Sequence, residues 1–257
     1  MLVTRHAEAE AVLADPRYVP PPVRQDGAEG TLAWLRARVS RFSTGEAHAR
    51  RRRELVALLD GLAPTRLRRE ARALTRERDG AWRGVPTAVL GAALGVGDTR
   101  AVPVAAAGYL SGEETPQADA AVAELLELAG LPVITLLLQG HAATEALVEN
   151  ALRHARPGDD VDALLHETLR GDPPLRATRR LDTRTGEEVT IDLVAANRDP
   201  AVFAAPDRFD TSRFDPGRFD PGGGPARHLT FGHGVRPCPA PAHAIALAGG
   251  VLEGVLG

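Results

Sequence analysis

The sequence has one cysteine and no lysine, so all 31 of its basic residues are arginine. A single cysteine excludes a disulfide framework and any cysteine-rich zinc or iron–sulfur site built by this chain alone. The lack of lysine excludes Schiff-base chemistry at an ε-amino group, and arginine forks favour carboxylates instead. Long apolar runs are also missing. The longest, Leu131–Leu138, is far below the roughly 20 residues of a bilayer span. The opening MLVTRHAEAE lacks the basic-then-apolar order of a secretory signal. A net charge of -3 and a pI near 6.3 give no reason to expect nucleic acid. These absences predict a soluble, cytoplasmic protein with neither membrane nor nucleic-acid partners. What is present is a chain of 257 residues, 44% hydrophobic, long enough to bury a substantial core. Abundant Ala, Gly and Pro with scarce Ile and Asn reflect GC-rich codons and carry no functional meaning.

Hydrophobic spacing predicts a mainly helical fold with a minor sheet. Leu2–Val3 reads as a strand, followed by a helix to Leu13 that Asp15-Pro16 ends. Helices are expected over 31–42, 45–62, 66–78, 84–94, 116–128, 132–155, 159–169 and 243–256. The basic run between Arg66 and Arg78 reads as a solvated helix face. Residues 176–194 alternate around Thr185-Gly186 and predict a hairpin. The stretch 196–230, dense in Pro, Gly, Asp and Arg, reads as irregular but ordered. No repeat and no internal boundary is visible, so residues 1–257 are expected to form a single compact domain.

The lone cysteine sits in Phe231-Gly-His-Gly-Val-Arg-Pro-Cys238, just before the last helix. A helix N-terminus stabilises a thiolate. Gly232 and Gly234 have no side chain to keep backbone away from a flat partner, and Arg236 is placed to pair with an acid. A buried, inert cysteine fits the same residues.

This segment resembles the heme-ligand loop of the cytochrome P450 family, Phe-Gly-x-Gly-x-Arg/His-x-Cys-x-Gly, with Ala240 in place of the last glycine. The resemblance implies heme b with Cys238 as its axial thiolate, and Phe231, Gly232 and Arg236 beside the cofactor. Other stretches resemble family motifs in the same order. Glu167-Thr-Leu-Arg170 before Pro173-Pro174 is similar to the Glu-x-x-Arg helix. Ala196-Asn-Arg-Asp-Pro-Ala-Val-Phe203 with Pro206-Asp-Arg-Phe-Asp-Thr-Ser-Arg213 is similar to the segment that supplies a partner arginine. Glu167, Arg170 and Arg213 would then form a buried ion-paired triad. His48 and Arg52, four apart on one helix face, resemble the pair that binds a heme propionate. Arg180 is the strand-side candidate, with neighbouring Arg179 as the alternative.

Two departures stand out. The distal helix of the family carries Ala/Gly-Gly-x-Asp/Glu-Thr, and here Gln139-Gly140-His141-Ala142-Ala143-Thr144 aligns with it. Gly140 keeps the cofactor-facing glycine, but Ala142 and Ala143 replace the acid and the hydroxyl that deliver protons to dioxygen. His141 and Thr144 are the remaining candidates for that role. The second departure is length: the chain is much shorter than typical members, with losses expected on the substrate side and a distal pocket that is open or roofed by another chain, a second copy included.

The resemblance implies an oxidoreductase of the monooxygenase or peroxygenase kind, transforming a small organic molecule in bacterial specialised metabolism. Electrons would come from a ferredoxin and its reductase, or peroxide would supply the oxygen. The alternative is a catalytically degenerate scaffold or auxiliary partner.

Overall fold

A computed structural model describes residues 1–214 and 228–257. The expectation of ordered, irregular chain over 196–230 therefore falls partly, at 215–227, outside the described residues. In chain order the elements are β1 (Leu2–Val3), α1 (His6–Ala14), β2 (Tyr18–Val19), α2 (Leu32–Arg38), α3 (Gly45–Asp60), α4 (Pro64–Glu77), α5 (Val85–Ala93), α6 (Val102–Ser111), α7 (Pro116–Leu128), α8 (Leu131–His154), α9 (Val161–Gly171), β3 (Ala177–Asp182), β4 (Glu188–Asp192), α10 (Leu193–Ala196) and α11 (Pro241–Leu256). Single turns of 3₁₀ helix occupy Ser40–Phe42 and Thr211–Phe214. The fold is mainly helical with a small mixed sheet, as the periodicity predicts.

The chain divides into two compact units. The first comprises Met1–Pro21, Ala146–Pro241 and Leu256. It contains the sheet, ordered β1-β4-β3-β2, with β1 parallel to β4 and the other pairs antiparallel. One face of the sheet buries Val3, Val189 and Ile191 against Ala9, Val12 and Leu13 of α1, with Tyr18, Leu193, Ala196 and Leu229 completing the cluster. The N-terminus of α1 is capped from afar: the Asp199 carboxylate accepts the His6 amide at 3.0 Å. The Ala201 and His6 amides hold the Asp199 carboxyl below its ordinary value.

The second unit comprises Pro22–Glu145, Ala242–Val255 and Gly257. Its α4 is amphipathic, burying Leu67, Ala71 and Thr75 and leaving most of its arginines in solvent, as the charge pattern predicts. Arg68 is the exception, held at 2.7 Å by Glu253 of α11. The two helices pack closely because a Cβ on Gly250 would lie 2.1 Å from the Arg68 carbonyl oxygen. His243 Nε2 lies 3.1 and 3.0 Å from the carbonyls of Leu59 and Leu62, satisfying the last turn of α3.

Three elements are absent from the sequence reading: β2, α6 and α10. Val102-Pro-Val-Ala-Ala-Ala-Gly108 is apolar nearly all round, so α6 shows no polar stripe and no period. The apolar part of α8 extends well beyond the run Leu131–Leu138. The helix spans 24 residues and is long and apolar enough to cross a membrane by length and composition, because Ala, Gly and Thr interrupt its runs without adding charge. Ile134, Leu137, Leu138, Leu147, Val148 and Ala151 are all buried along it, as in the core helix of a globular protein.

Candidate functional site

In the first unit the loop from Phe231 to Cys238 folds back on itself. The Gly232 amide donates to Leu229 O at 2.8 Å, and the Cys238 amide donates to Phe231 O at 2.6 Å. Gly234, at φ +63°, lies so close to α1 that a Cβ would sit 2.4 Å from Ala14 Cα. The Val235 amide adds a 3.4 Å contact to Leu13 O. Cys238 is half-buried, and the Ala240 amide donates to its Sγ at 3.4 Å. An amide aimed at sulfur favours the thiolate over the thiol. Ala240 does not adopt a positive φ, so its methyl group is accommodated where the resemblance expects glycine.

Behind this loop is α9, started by Asp160, which caps the Ala163 amide at 2.9 Å. Glu167 and Arg170, three apart on this helix, are both essentially inaccessible. The guanidinium grips the carboxylate with two bonds of 2.7 and 2.6 Å. It also donates to the carbonyls of Asn197, Pro206 and Arg208 at 3.2, 2.8 and 3.1 Å. Arg213 Nε lies 3.6 Å from Glu167 Oε1, and the Asp210 amide donates to the same oxygen at 2.8 Å. The triad expected from the motifs is therefore assembled, and it fixes the 197–213 backbone to α9.

Asn197 is the residue that sequence reasoning missed. Its Oδ1 accepts the Leu229 amide at 2.7 Å, and its Nδ2 donates to Thr230 Oγ1 at 2.9 Å. Thr230 Oγ1 donates to Leu169 O at 2.6 Å, tying the start of the cysteine loop to α9. The signal is in the sequence: Asn197 lies within the same motif that supplies Arg213.

His228 is a second omission. It is buried among Phe231, at 5.9 Å between ring centroids, and His166, at 6.0 Å. Neither ring nitrogen has a hydrogen-bond partner among the described residues. Burial, with His166 and Arg170 nearby, pushes its pKa down to about 3. The unfolded chain takes up this proton near pH 6.5 and the folded chain near 3, so stability is lost as pH falls through that window. One such group costs up to about 1.4 kcal/mol per pH unit. Urea unfolding at pH 7.0 and 5.5, where carboxylates stay largely ionised, should show a loss of stability that His228→Phe reduces.

The strand-side arginines separate cleanly. On β3, Arg180 is paired across the sheet with Val189 and Thr178 with Ile191, so both share the buried face. Arg180 is half-buried and donates to Thr178 Oγ1 at 2.9 Å. Arg179 points the other way, towards Glu188 at 3.4 Å. Arg236 is half-buried in the cysteine loop.

In the second unit His48 and Arg52 lie half-buried on one face of α3. On α8 the residues divide by face. Gly140, His141 and Thr144 form an inward stripe. A Cβ on Gly140 would meet Leu90 of α5 at 3.3 Å, and Thr144 is 2% exposed. His141 Nδ1 lies 2.8 Å from Thr87 Oγ1 and 3.7 Å from Glu145, whose carboxylate accepts the Gly84 amide at 2.7 Å. Burial lowers the His141 pKa against the opposing pull of Glu145. Ala142 and Ala143 face outward and are exposed. The two candidate proton donors are thus engaged in helix packing, and the outward face carries only methyl groups at these positions.

A family model described as cytochrome P450 matches residues 161–239, the stretch from α9 through Cys238. The chain belongs to the cytochrome P450 family. It is 32% identical over 133 residues to the biotin biosynthesis cytochrome P450 of Bacillus subtilis, covering 44% of this chain and 31% of that protein. It is 34% identical over 248 residues to the cytochrome P450 family protein EryCII of Saccharopolyspora erythraea, covering 81% of this chain and 64% of that one. The chain thus spans about a third to two thirds of these relatives' own length. Its fold matches that of P450BioI, solved in complex with a hexadec-9Z-enoic acid-ligated acyl carrier protein, with a TM-score of 0.74 at 20% identity, covering 98% of this chain and 84% of that one. A P450 fold implies heme with thiolate-ligated iron, and the donor set of the first unit fits it. The chain offers a cysteine sulfur that accepts an amide, in a loop folded back on itself and seated on α1.

Proposed function

We propose that this P450 is a heme-thiolate protein that transforms a small organic molecule by a peroxide-dependent or non-oxygenative route. The observation that carries the reading is Cys238 Sγ accepting the Ala240 amide in a loop closed by the Cys238–Phe231 bond. When bound, heme b would supply redox chemistry at iron. Cys238 would ligate the metal, and His48, Arg52, Arg180 and Arg236 would pair with the propionates through charge-assisted bonds. Phe231 and Gly232 would shape the loop against the ring.

Ala142 and Ala143 favour a route that needs no side-chain acid. His141 and Thr144 hold α8 in place in this reading. If dioxygen is used instead, electrons come from a ferredoxin and ferredoxin reductase. A protein with these motifs works in the bacterial cytoplasm, either alone, as a homo-oligomer, or with a partner over the distal side.

A second reading, a non-catalytic auxiliary protein, is favoured by the same two alanines. The reduced carbon-monoxide spectrum of protein produced with heme supplied separates the two. A Soret band at the thiolate position, lost in Cys238→Ala, is the expected result. Failure to take up heme would overturn the heme reading in favour of the scaffold, and an unchanged band in Cys238→Ala would overturn the ligand assignment.

A further inference from the structure

A cavity of about 300 Å³ in the second unit lies between the end of α2, the middle of α3 and the start of α8. Arg38, Arg50 and Arg51 line it with Glu54, so three guanidiniums meet one carboxylate and the lining carries two excess positive charges. The rest of the wall includes the apolar side chains of Val39, Leu55, Leu131 and Pro132.

Two of the arginines are held in place. Arg38 lies over the Trp34 ring at 4.5 Å and donates to Trp34 O at 3.2 Å. Arg51 donates to Ala37 O at 3.1 Å and to Ser43 Oγ. Burial and the nearby Arg50 and Arg38 lower the Arg51 pKa, while Glu54 opposes that shift. Converging like charges repel unless an anion separates them. A guanidinium has five donors, and these bonds leave several on each arginine for a ligand.

We infer that this cavity binds a phosphoryl group, as free phosphate or carried on a small organic molecule. Two excess charges match a dianion, and planar arginine forks match tetrahedral oxyanions. The volume exceeds that of bare phosphate and the apolar wall would cover an organic substituent. The site lies wholly within one unit and does not depend on heme.

Calorimetric titration of the full chain with inorganic phosphate and with phenyl phosphate, at constant ionic strength, tests this. Arg50→Gln, exposed on the α3 surface, should weaken binding about tenfold, as expected for the loss of a charge-assisted pair. Arg53→Gln removes a charge from the same helix outside the lining and should leave binding unchanged. Tighter binding of phenyl phosphate would identify an organic phosphate as the ligand, and equal binding would identify free phosphate. The inference is overturned if neither compound binds, or if Arg50→Gln and Arg53→Gln weaken binding equally, which would mean diffuse charge attraction.

Discussion

Glu167→Ala is expected to destabilise the protein by about 3–5 kcal/mol, the typical cost of leaving one partner of a buried ion pair uncompensated. Arg170 is 1% exposed behind its carboxylate. Arg170→Met should cost a similar amount for a different reason. It removes the arginine donor from the carbonyls of Asn197, Pro206 and Arg208, and it leaves the Glu167 anion with only the Asp210 amide and Arg213 at 3.6 Å. The double variant should lose less than the two singles combined, because neither buried charge of the pair remains, but it should stay well below wild type, because the Asn197 and Pro206 carbonyls lose the Arg170 donor. Urea midpoints of the three variants test this. A cost below about 1 kcal/mol for either single change, typical of an exposed pair, would contradict the account.

Gly234→Val is expected to cost roughly 3 kcal/mol, combining left-handed strain of about 1–2 kcal/mol with overpacking of about 1–3 kcal/mol. The second contribution dominates the contrast with Gly232. Both glycines have positive φ, but a Cβ at 232 would meet its nearest atom at 3.4 Å, and one at 234 would fall 2.4 Å from the Ala14 backbone. Gly232→Ala should therefore shift the thermal midpoint by a few degrees and Gly234→Val by roughly 5–10 °C. Equal shifts would mean that the loop is not seated on α1. A loop displaced from α1 would also carry Cys238 away from the geometry in which Ala240 supports the sulfur.

Much of this was legible in the sequence, for definable reasons. Long helices with one apolar stripe, such as α3, α4 and α9, declare themselves by period, and the Thr185-Gly186 turn marks the β3–β4 hairpin. The Glu167–Arg170–Arg213 triad was readable because three charged residues sat in ordered motifs. What escaped depends on distance along the chain. Asn197 looks like any loop asparagine until Leu229 and Thr230 are brought to it. The inward turn of His141 towards Thr87 depends on α5, which the sequence near His141 does not encode. β2 is two residues long and exists only because β3 passes beside it.

The pairing of β1 with β4 also has a consequence for how this chain is made. Leu2 and Val3 find their partners at Thr190 and Ile191, and the Met1 amine bonds to the Glu188 carbonyl at 2.9 Å. During synthesis Leu2 and Val3 emerge well over 180 residues ahead of the strand that pairs with them. The intervening helices of the second unit close on local contacts and need not wait. Val3 and the apolar face of α1 thus lack their β4 partners while the intervening residues are being translated, the kind of exposure that chaperones shield.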